Sequence, residues 1–342
     1  MKAAVLAAAL LAALAAPPAA RWDWGDAKDD YGGMAQSKAL CRQMKGREPP
    51  ASDRPTAAQA KALQGCDSEK LYYGIGMPAD PVKARQCAFL EADKGDESVF
   101  GGRTMLMMVY ANGKGARQDY DVAIHLACGI EGAPAESDAR VTDLADRRKR
   151  GDKDGDFDYC DGITSGLAAG YCAGHRESVD GAKREAAWTQ LIAGWSPSEK
   201  QALARLRKAH EAFAQASGSG EVDHSGTLRA AMEIGAEEKL RDELLAMIRQ
   251  LEAGKVPAPG HARFVAADAA LNAAYRKALQ GVEPNSGVGA VTRDGIRDAQ
   301  RAWLAYRDSF LAFAALRYPK VPRESLATWL TLKRIEMWKA ED

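Results

Sequence analysis

Apolar positions recur at helical spacing along nearly the whole chain. The clearest stripe is Ile296, Ala299, Trp303, Tyr306 and Phe310, with Arg297, Asp298, Arg301, Arg307 and Asp308 filling the opposite face. That pattern predicts an amphipathic helix with an aromatic ridge over 295–316. Similar stripes predict helices over 34–44, 202–215, 236–251, 264–279 and 325–339. Prolines at 49, 50, 55, 257, 259, 319 and 322 interrupt the pattern and mark breaks. The stretches ASGSGEVDHSG (216–226) and 284–289 read as loops. Alternating Val/Ile/Thr runs never extend beyond a few residues, so the expected fold class is all-α.

Two segments in the first half are similar at an offset of 39: Gly74 falls on Gly113, Gly76 on Gly115, Asp80 on Asp119 and Ala84 on Ala123. Each reads as helix, G-x-G turn, Asp cap, helix. Stacked helix pairs, a short helical-repeat solenoid over 57–150, are the expectation. The segments resemble the Sel-type repeats, a tetratricopeptide-like family whose members serve as protein-interaction scaffolds. Residues 21–56 read as a lead-in with one helix bearing Cys41. The charged, Gly-containing stretch ADRRKRGDKDGD (145–156) reads as a linker and domain boundary.

In the second half an offset of 93 places Leu203 on Ile296, His210 on Trp303, Phe213 on Tyr306, Arg241 on Arg334 and Leu244 on Met337. The expectation is a helical domain of two similar helix-bundle units, 157–253 and 261–342.

Composition and the N-terminus add a compartment. Met1-Lys2, an apolar run from Ala3 to Ala16, and Pro17-Pro18-Ala19-Ala20 form a signal-peptide pattern over 1–20, so a periplasmic or secreted protein is expected. No later apolar stretch is long enough for a membrane span. Six cysteines, all before residue 173, suit an oxidising compartment. Cys160 and Cys172 are spaced for a local pair. Cys66 and Cys87 flank the first G-x-G turn, and Cys41 and Cys128 would close the outside, although these four allow three pairings. Lys+Arg and Asp+Glu each number 47, a balance that argues against a nucleic-acid partner.

With the helices placed, ADAALNAAYRKAL followed by AQRAWLAYRD resembles the LprI-like lysozyme-inhibitor domain, a small helical domain of exported bacterial proteins. Asp268, Leu271, Asn272 and Tyr275 match its first helix, Gln300, Trp303, Arg307 and Asp308 its second, and Arg334 its late Arg. The 157–253 unit resembles a degenerate copy: it keeps the cysteines (FDYC…YC), but its second-helix motif has decayed to Arg207, His210, Ala214 and Gln215. The resemblance implies an exported non-enzymatic protein that binds a protein partner, a lysozyme-type muramidase or another peptidoglycan-cleaving enzyme. The alternative is a periplasmic interaction scaffold, or an immunity protein for a secreted toxin.

Candidate chemistry changes this picture little. Trp303, Tyr306 and Tyr275 have the spacing of core residues. No histidine pairs at i, i+4 with another ligand, and Ser165 and Ser286 lack a nucleophile elbow, so no metal, cofactor or catalytic residue is expected. Asp152, Asp154, Asp156 and Asp158 resemble a calcium loop, but Phe157 stands where Gly is needed and Ile163 where the bidentate Glu should be. A basic or amide-bearing loop would be the natural plug for a carboxylate-lined muramidase cleft. The candidates are 281–293 and 317–323.

Overall fold

A computed structural model describes residues 22–28, 32–95, 98–255, 261–283 and 287–339. The expected signal segment 1–20 lies outside these residues, as does the 284–286 part of the expected 284–289 loop. The described residues are all-helical: α1 Ala35–Met44, α2 Ala57–Ala62, α3 Ser68–Tyr73, α4 Pro81–Lys94, α5 Gly102–Asn112, α6 Tyr120–Cys128, α7 Pro134–Arg150, α8 Gly166–Leu191, α9 Pro197–Glu221, α10 Arg229–Glu252, α11 His261–Gly281, α12 Arg293–Arg317 and α13 Arg323–Lys339. None is long and apolar enough to cross a membrane.

The helices of the first half are short, and their ends are written in the sequence. Gly74 and Gly113 take the left-handed conformation that stops α3 and α5. Asp80 caps α4 by accepting from Lys83 N–H at 3.0 Å, and Asp119 caps α6 by accepting from Asp121 and Val122 N–H. The two turns share a backbone hydrogen bond at the same offset: Asp80 N–H donates to Leu71 O at 2.8 Å, and Asp119 N–H to Tyr110 O at 2.9 Å. A side chain at Gly115 would meet Pro81 O, so the second turn rests directly on the start of α4. Helix α5 is central, buried on every side from Thr104 to Asn112, which is why it reads as nearly continuous apolar text. Disulfides join Cys41 to Cys128, Cys66 to Cys87 and Cys160 to Cys172.

The stretch 145–156 differs from a linker. Through Arg150 it is the last turns of α7, stopped by Gly151 in the left-handed conformation. Its charges are paired: Arg147 with Asp143 and Asp156, Arg148 with Asp121, Arg150 with Asp152. The chain then turns back onto the first core. Phe157 N–H donates to Asn112 Oδ1 at 2.8 Å and Phe157 O accepts from Asn112 Nδ2 at 2.9 Å, so one buried amide holds this strand-like segment by both its backbone groups. Phe157, Tyr159 and Cys172 thereby belong to the first hydrophobic core, and the second begins at Trp188.

The second core is built from longer helices. α9 and α12 run antiparallel along their full length. Gly220 faces Gly295 at one end, and Arg317 pairs with Glu199 at the other, at 2.8 Å. Trp195 stacks on Phe313 and Phe213 on Tyr306 between them. α8 packs on α10, and α11 on α13. The stretch 216–226, expected as a loop, is helical through Glu221. A Cβ on Gly220 would lie 2.7 Å from Gly295 O, and one on Gly295 would lie 2.6 Å from Gly220 O. Here glycine serves close backbone approach, which tertiary packing rewards more than local propensity penalises it.

Candidate functional site

The residues singled out in the C-terminal motif divide into a buried group and an exposed group. Arg334 on α13 is fully buried and forks onto the carboxylate of Glu221, the last residue of α9, with Nη2–Oε1 at 2.5 Å and Nη1–Oε2 at 2.9 Å. Its Nε donates to Gln300 Oε1 at 3.1 Å. Trp338 Nε1 donates to Glu221 Oε1 at 3.1 Å, and Ser217 Oγ to Glu221 Oε2 at 2.9 Å. The guanidinium plane lies over the rings of Trp338 and Phe213, at 4.2 and 5.2 Å. A buried cation is tolerable only when fully paired, and here a planar fork meets a carboxylate whose other lone pairs are also used. Leu271 and Trp303 are core residues, and Tyr275 stacks on Trp338 at 6.1 Å.

The remaining motif residues lie toward solvent. Arg307 covers the Trp303 ring at 5.3 Å and bonds its neighbour Asp308 at 3.2 Å; Asp308 is exposed. Asn272 Nδ2 turns back to Asp268, to its carbonyl at 2.9 Å and its carboxylate at 3.3 Å. The structure thus brings Gln300, Trp303 and Arg334 together at the α9–α12–α13 junction, and leaves Asp268, Asn272 and Asp308 on the surface. Glu221, the acid on which the junction turns, was not among the residues the sequence singled out. The signal was present as GSGE at the end of α9, where small residues allow the close approach that buries an acid.

Beside this junction lies an open cleft of about 440 Å³ between α8, α9 and α10. Arg241 sits at its centre with four carboxylates, Glu177, Glu211, Glu237 and Glu238, at 2.6–3.0 Å. Arg184 pairs with Glu238 and Asp242, and Arg207 with Glu185. Hydrogen bonding to Glu211, ahead of the other acids, raises the Arg241 pKa, and the same bond lowers that of Glu211. His210, in the cleft wall, is held down to about 4 by burial and is a neutral packing residue against Tyr306 at neutral pH.

The two candidate plug loops sit at opposite ends of the α9–α12 pair. The described part of 281–293 is tied to the α9–α10 connection by His224 N–H donating to Gly289 O at 2.7 Å. In 317–323, Arg317 is locked to Glu199 and Glu252, and Tyr318 Oη donates to Glu252 at 2.7 Å. Lys320 and Arg323 of this tip are exposed. Among the described residues, the grouping with metal-ligand types is Cys66, Cys87 and Glu91, and both cysteines are committed to their disulfide.

A family model described as Lysozyme inhibitor LprI matches residues 260–335, which hold α11, α12 and most of α13. No curated protein and no solved structure matches the chain.

Proposed function

We propose that this chain is an exported, non-catalytic protein-binding protein that inhibits a peptidoglycan-cleaving enzyme of the lysozyme type. The observation that carries the reading is the match of the lysozyme-inhibitor family to residues 260–335, in which Gln300, Trp303 and Arg334 of the motif meet at one buried junction. Three disulfides fit an oxidising compartment, as export requires. Because Arg334, Gln300 and Trp303 are consumed internally, the contact surface lies elsewhere. The tip 317–323 is the better plug: it is anchored by Arg317 and Tyr318 and offers two exposed cations, Lys320 and Arg323, whereas the described part of the other loop, 281–283 and 287–293, offers Arg293, whose Nε donates to Leu279 O at 3.0 Å. An anchored loop loses little entropy on docking, and its cations complement a carboxylate pair.

Purified protein added to lysozyme on a cell-wall substrate should slow lysis. The double variant Lys320→Glu/Arg323→Glu should weaken inhibition by about tenfold or more with an unchanged melting temperature. Undiminished lysis at excess protein would sink the reading; inhibition that survives the double variant would move the contact away from the tip.

The second reading, an interaction scaffold or toxin-immunity protein working through Sel-type repeats, is favoured by one observation. The Asp80–Leu71 and Asp119–Tyr110 backbone bonds recur at the repeat offset. The two-copy reading of the second half draws similar support from the order of its helices. In each half the middle helix, α9 or α12, faces the other half, while the first and third, α8 with α10 and α11 with α13, pack together. Cross-linking of the intact chain to its envelope partners would separate the two functions. Adducts confined to α3–α6 favour the scaffold, and adducts on the α12–α13 tip favour the inhibitor.

A further inference from the structure

A second place in the molecule is built for a ligand. Arg140 on α7 is only 5% exposed, yet among the described residues its guanidinium makes no ion pair and its buried Nη1 has no hydrogen-bond partner. Its guanidinium lies over the face of Tyr159, at 5.1 Å, with Nη2 beside Gly132. The acid one turn earlier, Glu136, does not take it. Oε1 of Glu136 accepts from Thr164 and Ser165 N–H at 3.0 and 2.6 Å, and Oε2 from Ala133 N–H at 3.3 Å, so its carboxylate is turned to backbone and acts on Arg140 only through its charge. A buried cation without an anion is costly, and burial already pulls the Arg140 pKa down.

Arg140 lines a cavity of about 300 Å³ between α7 and the 157–163 segment, at the small end of ligand-pocket sizes. Phe157, Tyr159 and Ile163 supply its apolar wall. Two carboxylates in the same lining, Asp158 and Asp161, have no cationic partner among the described residues. Asp158 accepts from Cys160 N–H, and Asp161 accepts from Asp158 N–H. Burial raises the Asp161 pKa, the direction expected of an acid lacking a counter-charge. Of the other charges of the lining, Arg147 pairs with Asp143 and Asp156, and the Glu136 carboxylate is held by backbone N–H groups. The cavity therefore presents one unmet cation and two unmet carboxylates, separately held by the fold.

We propose that this cavity binds a small zwitterion, a free amino acid or short peptide, whose carboxylate pairs with the Arg140 guanidinium and whose ammonium faces Asp158 and Asp161. An anion alone would leave the acids unmatched, and a cation alone would leave Arg140 bare. Neither this cavity nor its residues belong to the 260–335 match, so the site stands apart from the inhibitor reading.

Calorimetric titration of the full chain with L-alanine and dialanine, alongside acetate and ethylammonium, tests this. The zwitterions should bind about tenfold tighter than either half-ligand, and Arg140→Met should abolish that binding. Asp161→Asn should weaken the zwitterions while leaving acetate unchanged. No binding of either zwitterion overturns the proposal, as does acetate binding equally well, which would mean a simple anion site. Thermal unfolding keeps the variant interpretable: Met preserves the packed stem, so Arg140→Met should melt at or above the parent temperature. A clear drop would make Arg140 a structural cation and overturn the assignment.

Discussion

The two cores solve one problem, holding helices together, in different ways. The first closes short helices with three disulfides and glycine-stopped turns around a helix, α5, buried on every side. The second uses helices of up to 26 residues and has no cysteine after Cys172. Its cross-link is electrostatic, the buried Arg334–Glu221 fork beneath Gln300 and Trp338. A short helix buries little surface of its own and gains from a covalent staple. A pair of long helices packed along their length can instead carry the cost of desolvating an ion pair.

The largest expected effect separates the two. Replacing Cys41 and Cys128 by Ala, which opens a closure of 87 residues, should cost the first core about 4–5 kcal/mol and leave the second intact. The measurement is thermal unfolding followed by hydrogen exchange in each region. Protection lost equally in α9–α13 would show the cores to be one cooperative unit. The converse variant, Arg334→Ala, strands Glu221 in the interior and should cost about 3–5 kcal/mol, seen first in the α9–α12 pair. Arg334→Met with Glu221→Leu should recover most of that loss, because the pair is then removed rather than halved.

A smaller effect depends on pH. The His210 pKa falls from 6.5 unfolded to about 4 folded because burial disfavours its charge. The unfolded chain therefore binds the extra proton first. The stabilisation is complete above about pH 6.5 and disappears as pH falls to about 4, a loss on the order of 3 kcal/mol. Titrating stability of the parent against His210→Phe should give curves that diverge only across this window; parallel curves would place the proton elsewhere. The smallest effect is at the surface. Asp308→Ala should change stability by less than about 0.5 kcal/mol despite its place in the motif, since its side chain is exposed and its ion pair is with its neighbour Arg307.

Much of the second core was legible because period and chemistry agree. Every residue of the stripe Ile296, Ala299, Trp303, Tyr306, Phe310 is buried on α12, where Leu311, Phe313 and Ala314 extend the same face. The extent of α9 was not, because ASGSG has the local chemistry of a loop, and only the approach of a distant glycine makes it helix. For the same reason the partner of Arg334 was invisible. Glu221 lies 113 residues earlier, and no periodicity connects them. The stretch 145–156 reads as a linker because charged, Gly-containing runs usually are one, yet Arg147–Arg150 form a helix end and each of the arginines finds an acid on α6, α7 or the turn beyond. Arg140 carried no signal of its own, since an arginine in a helix reads as solvated until burial is known.

That separation of 113 residues also sets a schedule for the emerging polypeptide. At about 5–20 residues per second, Glu221 is made roughly 6–23 s before Arg334. During that interval α9 displays an apolar face and an unmatched acid, with no α12 to cover either. The first core faces no such wait: every residue of it, through Cys172, precedes Glu221 in the chain, so its closure depends on nothing made later. The late-arriving Arg334 is thus the step that ends the chain's exposure to aggregation, and a chaperone that shields α9 would act before it.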